Sequence, residues 1–159
     1  MQDSESKGFV IRPAVPTDCE IITEFNIRLA SETEDHELDH ATLTAGVAAL
    51  LEDSSKGRYF IAENEANEII GQLMFTFEWS DWRNGMMWWL QSVYVRADAR
   101  KQGVFSGLLN HVTELATAAS EVRGIRLYVD NENETARQTY RARGFEDPNY
   151  RVMETLFSD

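Results

Sequence analysis

Cysteine is nearly absent from this chain: 159 residues hold one, Cys19, which excludes an internal disulfide and leaves no thiolate cluster for a structural zinc. Long apolar runs are absent too. No stretch approaches the roughly 18 consecutive apolar residues of a membrane-spanning helix, and the opening MQDSESKGFV is polar and acidic where a secretory signal is basic and then apolar. A soluble, cytoplasmic protein is the expectation. Cations are scarce: 15 Lys+Arg stand against 27 Asp+Glu, a net charge of −12 at pH 7. That deficit argues against nucleic acid, whose phosphates need a basic face. Internal repeats, low-complexity tracts and linkers are missing as well. Residues 1–8 therefore read as a disordered start and 9–159 as one domain.

What is present suffices for a real core: 43% hydrophobic residues, with 8 Phe, 5 Tyr and 4 Trp. The charge is unevenly spread. Residues 1–93 carry 6 Lys+Arg against 17 Asp+Glu, residues 94–145 carry 8 against 6, and residues 146–159 carry 1 against 4. A cationic acceptor meeting the acidic part and an anionic cofactor meeting the basic part would account for both halves. A solvated acidic surface that maintains solubility would account for the first.

Periodicity predicts a strand at FVIRP, a helix begun by Pro16-Thr17-Asp18 with Cys19, Ile22, Phe25 and Leu29 at helical spacing, and a second helix over about 39–52. The connection SETEDHELD between them is strongly acidic. Strands at about 58–63, 69–79 and 86–95 follow as an antiparallel meander closed by turns at NEANE and at Asn84-Gly85. A helix over about 104–120 has Val104, Leu108, Leu109, Val112, Leu115, Ala116 and Ala119 on one stripe. Then come the strand IRLYVD, a helix over 134–143 with Asn133 as N-cap and Gly144 as exit, and a closing strand at about 150–157. The order β-α-α-β-β-β-α-β-α-β implies an α+β fold with a mixed sheet.

The chemistry points to Trp88–Leu109, WWLQSVYVRADARKQGVFSGLL, where a dense apolar run stops and a basic, glycine-containing turn opens an amphipathic helix. First-turn amides have no partners inside a helix, so Gly103 and the NH groups after it can point at a diphosphate, with Arg100 and Lys101 adding full charge. The segment is neither a GxxxxGK[ST] loop nor a GxGxxG fingerprint. His36 and His40, spaced i, i+4, gain no third soft ligand, and no metal is expected.

The element order, together with VYVRADARKQGVFSGLL and LYVDNENETARQTYRARGF, resembles the GNAT superfamily of acetyl-coenzyme A dependent N-acetyltransferases. The signature [QR]xxGxG/A matches at Arg100 and Gly103 and departs at Phe105, where a small residue is usual; NxxAxxxYxxxGF matches at Asn133, Ala136, Tyr140, Gly144 and Phe145. The resemblance implies the GNAT acyl-CoA N-acyltransferase fold, a mixed, mostly antiparallel sheet of about seven strands flanked by four helices. It implies a V-shaped opening between the strand ending at Val95 and the strand ending at Asp130, with pantetheine pairing against Val93, Tyr94 and Val95. It further implies that the turn Arg100, Lys101, Gln102, Gly103, Val104, Phe105, Ser106 and Gly107 holds the diphosphate, and that Asn133, Ala136 and Tyr140 line the cofactor arm. The amide near Val93 would then polarise the acetyl carbonyl.

Tyr140 would donate to the departing thiolate, a phenol of reference pKa about 10 being protonated at neutral pH. An amine acceptor must lose a proton, at a cost of roughly 4 kcal/mol at pH 7. Glu78 is the candidate base or substrate anchor, although it shares a strand face with Gln72, Met74 and Thr76 and so could lie on a solvated side. Gln91, Glu32, Glu34, Trp79 and Asp81 are candidate acceptor contacts, with Trp82 completing an aromatic and acidic wall. FVIRPA, Asp18-Cys19 and FTFEWSDW are similar to the diamine acetyltransferases, but Leu90-Gln91-Ser92 replaces their Leu-Glu-Asp. The expected function is acetyl transfer from acetyl-CoA to a primary amine, with a small cationic metabolite ahead of a protein lysine or N-terminus and a homodimer expected as in many relatives. A non-catalytic acyl-CoA-binding module that regulates a partner is the alternative.

Overall fold

A computed structural model of the chain describes residues 8–34 and 36–157, and the backbone but not the side chain of Glu34. The disordered start expected over 1–8 lies outside the described residues except for Gly8. The chain forms two compact units, one ending at Leu127 and one beginning at Tyr128.

The first unit opens with β1 (Phe9–Pro13), a single 3-10 turn (Pro16–Asp18) and α1 (Cys19–Glu34). Asp18 holds this start together. Its carboxylate accepts from the Val15 amide at 2.7 Å and from both terminal nitrogens of Arg12 at 2.9 and 3.1 Å, while Arg12 Nε reaches Glu63 at 2.8 Å. The helix α2 (His40–Glu52) is capped by Asp39, which accepts from the Thr42 amide at 2.9 Å.

Four strands follow the meander pattern and one returns. β2 (Arg58–Asn64), β3 (Ile69–Ser80) and β4 (Gly85–Val95) are antiparallel neighbours, β1 pairs antiparallel with β2, and β5 (Val122–Leu127) pairs parallel with β4 after the crossover through α3 (Val104–Ala118). Both faces of the sheet are covered. Ile22 and Val47 from the first two helices bury Tyr59, Ile61 and Met74, whereas on the opposite face the stacked rings of Phe60, Phe75 and Trp88 lie beneath α3, with His111 tilted 5.1 Å from Phe60. Five α3 residues, Val104, Leu108, Leu109, Val112 and Ala116, are buried as the stripe predicts; Leu115 is 37% exposed.

The face of β3 that was open to a solvated reading is not solvated near its start. Gln72 is fully buried and Met74 nearly so, because α1 and α2 pack over them. The β5 strand also begins and ends earlier than IRLYVD implies.

In the second unit, α4 (Glu134–Ala142) starts where Asn133 accepts from the Ala136 amide at 3.1 Å, and Gly144 leaves it in the left-handed region at φ 90°. The closing strand expected over 150–157 does not form. Tyr150, Val152, Met153, Leu156 and Phe157 are 65–93% exposed, and the sheet order ends at β5. Apolar side chains do not by themselves supply the neighbour whose hydrogen bonds stabilise a strand, and among the described residues the sheet has five strands rather than about seven. Among the described residues no helix is long and apolar enough to cross a membrane.

Candidate active site

The residues flanking the β4–α3 junction enclose a cleft of about 370 Å³, lined by Val93, Tyr94, Val95, Ala99, Arg100, Lys101, Gly103, Val104, Phe105 and Ser106. Two features of the backbone make it. The turn takes Lys101 to φ 64° and Gly103, the α3 N-cap, to φ 81°. Left-handed residues on either side of Gln102 give the turn the curl of an anion nest, and glycine takes the second at no steric cost. No atom lies within 4 Å of where a Gly103 Cβ would be, so the approach is open.

The second feature is a β-bulge. Gln72 pairs with Tyr94 and Met74 with Gln91, so Ser92 and Val93 together oppose Leu73. Ser92 lies at φ 51°, a left-handed value that serine rarely adopts. Gln91 and Tyr94 consequently share one sheet face, and the backbone is re-aimed between them. The parallel ladder with β5 stops at Leu90–Leu127, so among the described residues β4 has no strand partner on that side from Gln91 to Val95.

Buried polar groups surround the bulge. The Gln72 amide nitrogen donates to the Ser92 carbonyl at 3.0 Å, while its own Oε1 is buried without a partner. Tyr59 receives a hydrogen bond from Asn26 Nδ2 at 3.1 Å; burial pushes its phenol up, and the neighbouring Ser92 side chain and Asn26 pull it down. These residues, with Ala99, were missed by sequence reasoning. Gln72 offered a signal as the polar break in the apolar run IIGQLMF.

The other candidates group differently. Glu32, in the last turns of α1, accepts from the Tyr94 hydroxyl at 3.3 Å and from Arg100 at 2.8 Å, and Arg100 also donates to the Val95 carbonyl and lies 5.5 Å from the Tyr94 ring centre. Glu32 therefore reaches two residues of the cleft wall. Burial, followed by the Glu32 carboxylate, raises the Tyr94 phenol. Gln102 turns away to bond the Asp98 carbonyl at 3.2 Å, and the Gly107 amide is spent on the Gly103 carbonyl at 2.9 Å, where the α3 ladder begins. A Cβ on Gly107 would meet Phe9 at 2.9 Å, which is a packing reason for that glycine.

Glu78 is bonded through both oxygens, to Arg126 at 2.6 Å and to Trp89 Nε1 at 3.1 Å, and Arg126 also lies over the Trp89 ring. Gln91 donates to Thr76 at 2.7 Å on the same face. Trp79 and Trp82 are 58% and 88% exposed at the β3–β4 hairpin, where Asp81 accepts from the Trp82 amide. Within the second unit, Tyr140 packs edge-on against Phe145 at 5.4 Å, and burial raises its phenol. Asn133 is occupied as the α4 cap, and Ala136 supplies the capped amide. Among the described residues no group of three His, Cys, Asp or Glu could hold a metal.

A profile of the Acetyltransferase (GNAT) family matches residues 21–145. The chain belongs to that family. Acetyl-CoA is the GNAT acyl donor, and the residues around the cleft suit it: two cations and an amide nest face the space where an anionic diphosphate would lie. Among solved structures, a possible acetyltransferase from Clostridium difficile 630 is similar at 40% identity and a TM-score of 0.89, covering 95% of this chain and 99% of that one. A predicted acetyltransferase from Clostridium acetobutylicum, solved with acetyl-CoA, shares the fold at 21% identity and a TM-score of 0.77, over 93% and 96% of the two chains. So does the ribosomal-protein-alanine N-acetyltransferase from Brucella melitensis biovar Abortus 2308, at 15% identity and 0.73, over 94% and 99%.

Proposed function

We propose that this GNAT acetyltransferase transfers the acetyl group of acetyl-CoA directly to a primary amine on a small cationic metabolite, acting in the cytoplasm as a homodimer whose protomer is one functional domain over 9–159. The observation that carries the reading is the cleft itself, where the amide nest at Lys101–Gly103 adjoins the bulged, one-sided edge of β4. Bound acetyl-CoA supplies a thioester whose carbonyl carbon accepts the amine. Arg100, Lys101 and the first amides of α3 hold the diphosphate, Val93 to Val95 pair with the pantetheine arm, and the Val93 amide hydrogen-bonds the thioester oxygen.

The resemblance to GNAT enzymes gives Tyr140 the role of acid, which would give its phenolic proton to the departing sulfur, and gives Asn133 and Ala136 that of lining the cofactor arm. Burial supports that role because it keeps the phenol protonated above its ordinary value. Glu78 serves as anchor for the cationic acceptor rather than as base, since Arg126 and Trp89 already hold its two oxygens; the amine loses its proton to water. Glu34, Trp79, Asp81 and Gln91 complete the acceptor side. The deficit of cations over residues 1–93 supports a positively charged substrate.

The test is coenzyme A thiol release from acetyl-CoA over polyamines, amino acids, aminoglycosides and lysine peptides, with Tyr140→Phe in parallel. The reading expects release stimulated by small cationic amines and about 100-fold slower turnover in the variant, with acetyl-CoA affinity retained. Binding of acetyl-CoA with no amine-stimulated release would instead support the non-catalytic module.

A further inference from the structure

A serine at φ 51° in the middle of a strand is held against its own preference, and such strain persists only where surrounding groups over-determine it. Here the surroundings are specific. The Ser92 carbonyl receives Gln72 Nε2 at 3.0 Å, and its side chain lies beside the Tyr59 phenol, which Asn26 holds in turn at 3.1 Å. All three supporting residues are buried: Gln72 at 0%, Tyr59 at 5% and Asn26 at 6% exposure.

The arrangement has a cost. Gln72 leaves Oε1 buried and unpartnered, a loss that an apolar residue at that position would avoid. Glycine at 92 would adopt the same conformation without anchors. A serine combined with a buried glutamine and a buried tyrosine is a costly way to build a turn in a strand. It has one local product: the bulge that sets Val93, a residue of the cleft wall, out of register with Leu73.

We infer that Gln72 and Tyr59, with Asn26 behind it, are positioning residues that fix the Val93 amide for the acyl carbonyl by clamping Ser92 at its carbonyl and at its side chain. The inference rests on the assignment of the Val93 amide to that carbonyl. The clamp spans three strands and α1, so the amide is pre-organised by the core rather than by the ligand.

The experiment uses the full chain in four forms: wild type, Tyr59→Phe, Gln72→Leu, and Tyr59→Phe combined with Ser92→Gly. Crystal structures without ligand report φ at Ser92, and amide NMR reports the Val93 resonance on saturation with acetyl-CoA and, separately, with coenzyme A. In the wild type the Val93 resonance is expected to move further with acetyl-CoA than with coenzyme A. In Tyr59→Phe and in Gln72→Leu that acetyl-specific difference is expected to fall by about half or more as Ser92 leaves the left-handed region. Glycine at 92 is expected to restore it in the Tyr59→Phe background, which a merely structural contribution of Tyr59 to the core would not do. Retention of both the Ser92 conformation and the full Val93 difference in the two single variants would overturn the clamp. A wild-type Val93 that does not distinguish the two ligands would overturn the carbonyl assignment instead, while the crystallographic comparison still decides whether Gln72 and Tyr59 hold Ser92.

Discussion

Glu32 and Arg100 form an exposed pair beside the cleft, and the carboxylate competes there with any diphosphate for the guanidinium. Replacing Glu32 with glutamine removes that competition while leaving a group of the same shape, so acetyl-CoA should bind about two- to five-fold tighter by calorimetry, the span of an exposed ion pair. An unchanged affinity accompanied by a higher KM for the amine would return Glu32 to the acceptor side. Gly103 has a different constraint. At φ 81° any side chain is strained by about 1–2 kcal/mol, although the space around it is open. Gly103→Ala is therefore expected to weaken acetyl-CoA binding about ten-fold through loss of the left-handed turn. Thermal unfolding should show only a small decrease if the turn relaxes.

Among the elements, the junction of β1 with α1 depends on one carboxylate. Burial works against ionised Asp18, but the Arg12 bonds, the Val15 amide and the Arg12 charge outweigh it and hold the carboxyl below its ordinary value of 3.8. A carboxyl depressed by folding stabilises the native state fully above its unfolded value, and that contribution disappears as pH falls through the lower folded value. Asp18→Asn should therefore unfold about 4–8 °C below the wild type at pH 7, from roughly 2 kcal/mol of lost charged hydrogen bonding. The gap should narrow as pH drops below 3.8 and the wild-type carboxyl protonates. A gap independent of pH would show that shape rather than charge secures the junction.

For the whole molecule, the net charge of −12 favours a cationic acceptor, while residues 94–145, with 8 Lys+Arg against 6 Asp+Glu, suit an anionic cofactor. The KM of a cationic amine should rise several-fold as ionic strength is raised from about 0.02 to 0.5 M, because the Debye length contracts below the dimensions of the surface. A neutral-side-chain acceptor should show little change. Equal salt dependence for both would remove the electrostatic argument for a cationic substrate.

Local order was legible because local interactions set it: Asn133 caps its helix as its short acceptor side chain suggests, and the spacing from Val104 to Ala116 faces α3 into the core. The basic glycine turn was readable for the same reason, its charges and its left-handed glycine lying within a few residues of one another. Folding alone decided whatever depends on a distant neighbour. Glu78 meets Arg126 across 48 residues and Glu32 meets Arg100 across 68, and no periodicity encodes such partners. Gln72 has the pattern of a surface residue on a two-faced strand, yet two helices bury it beside a bulge whose register only the paired strand defines. The apolar residues of 150–157 likewise promised a strand that does not form. The sequence by itself determined the four helices and the basic glycine turn, because both arise from short-range sterics and charge. Tertiary structure decided which carboxylates are already engaged, which polar groups are buried and where β4 breaks step, because each depends on what packs across the sheet.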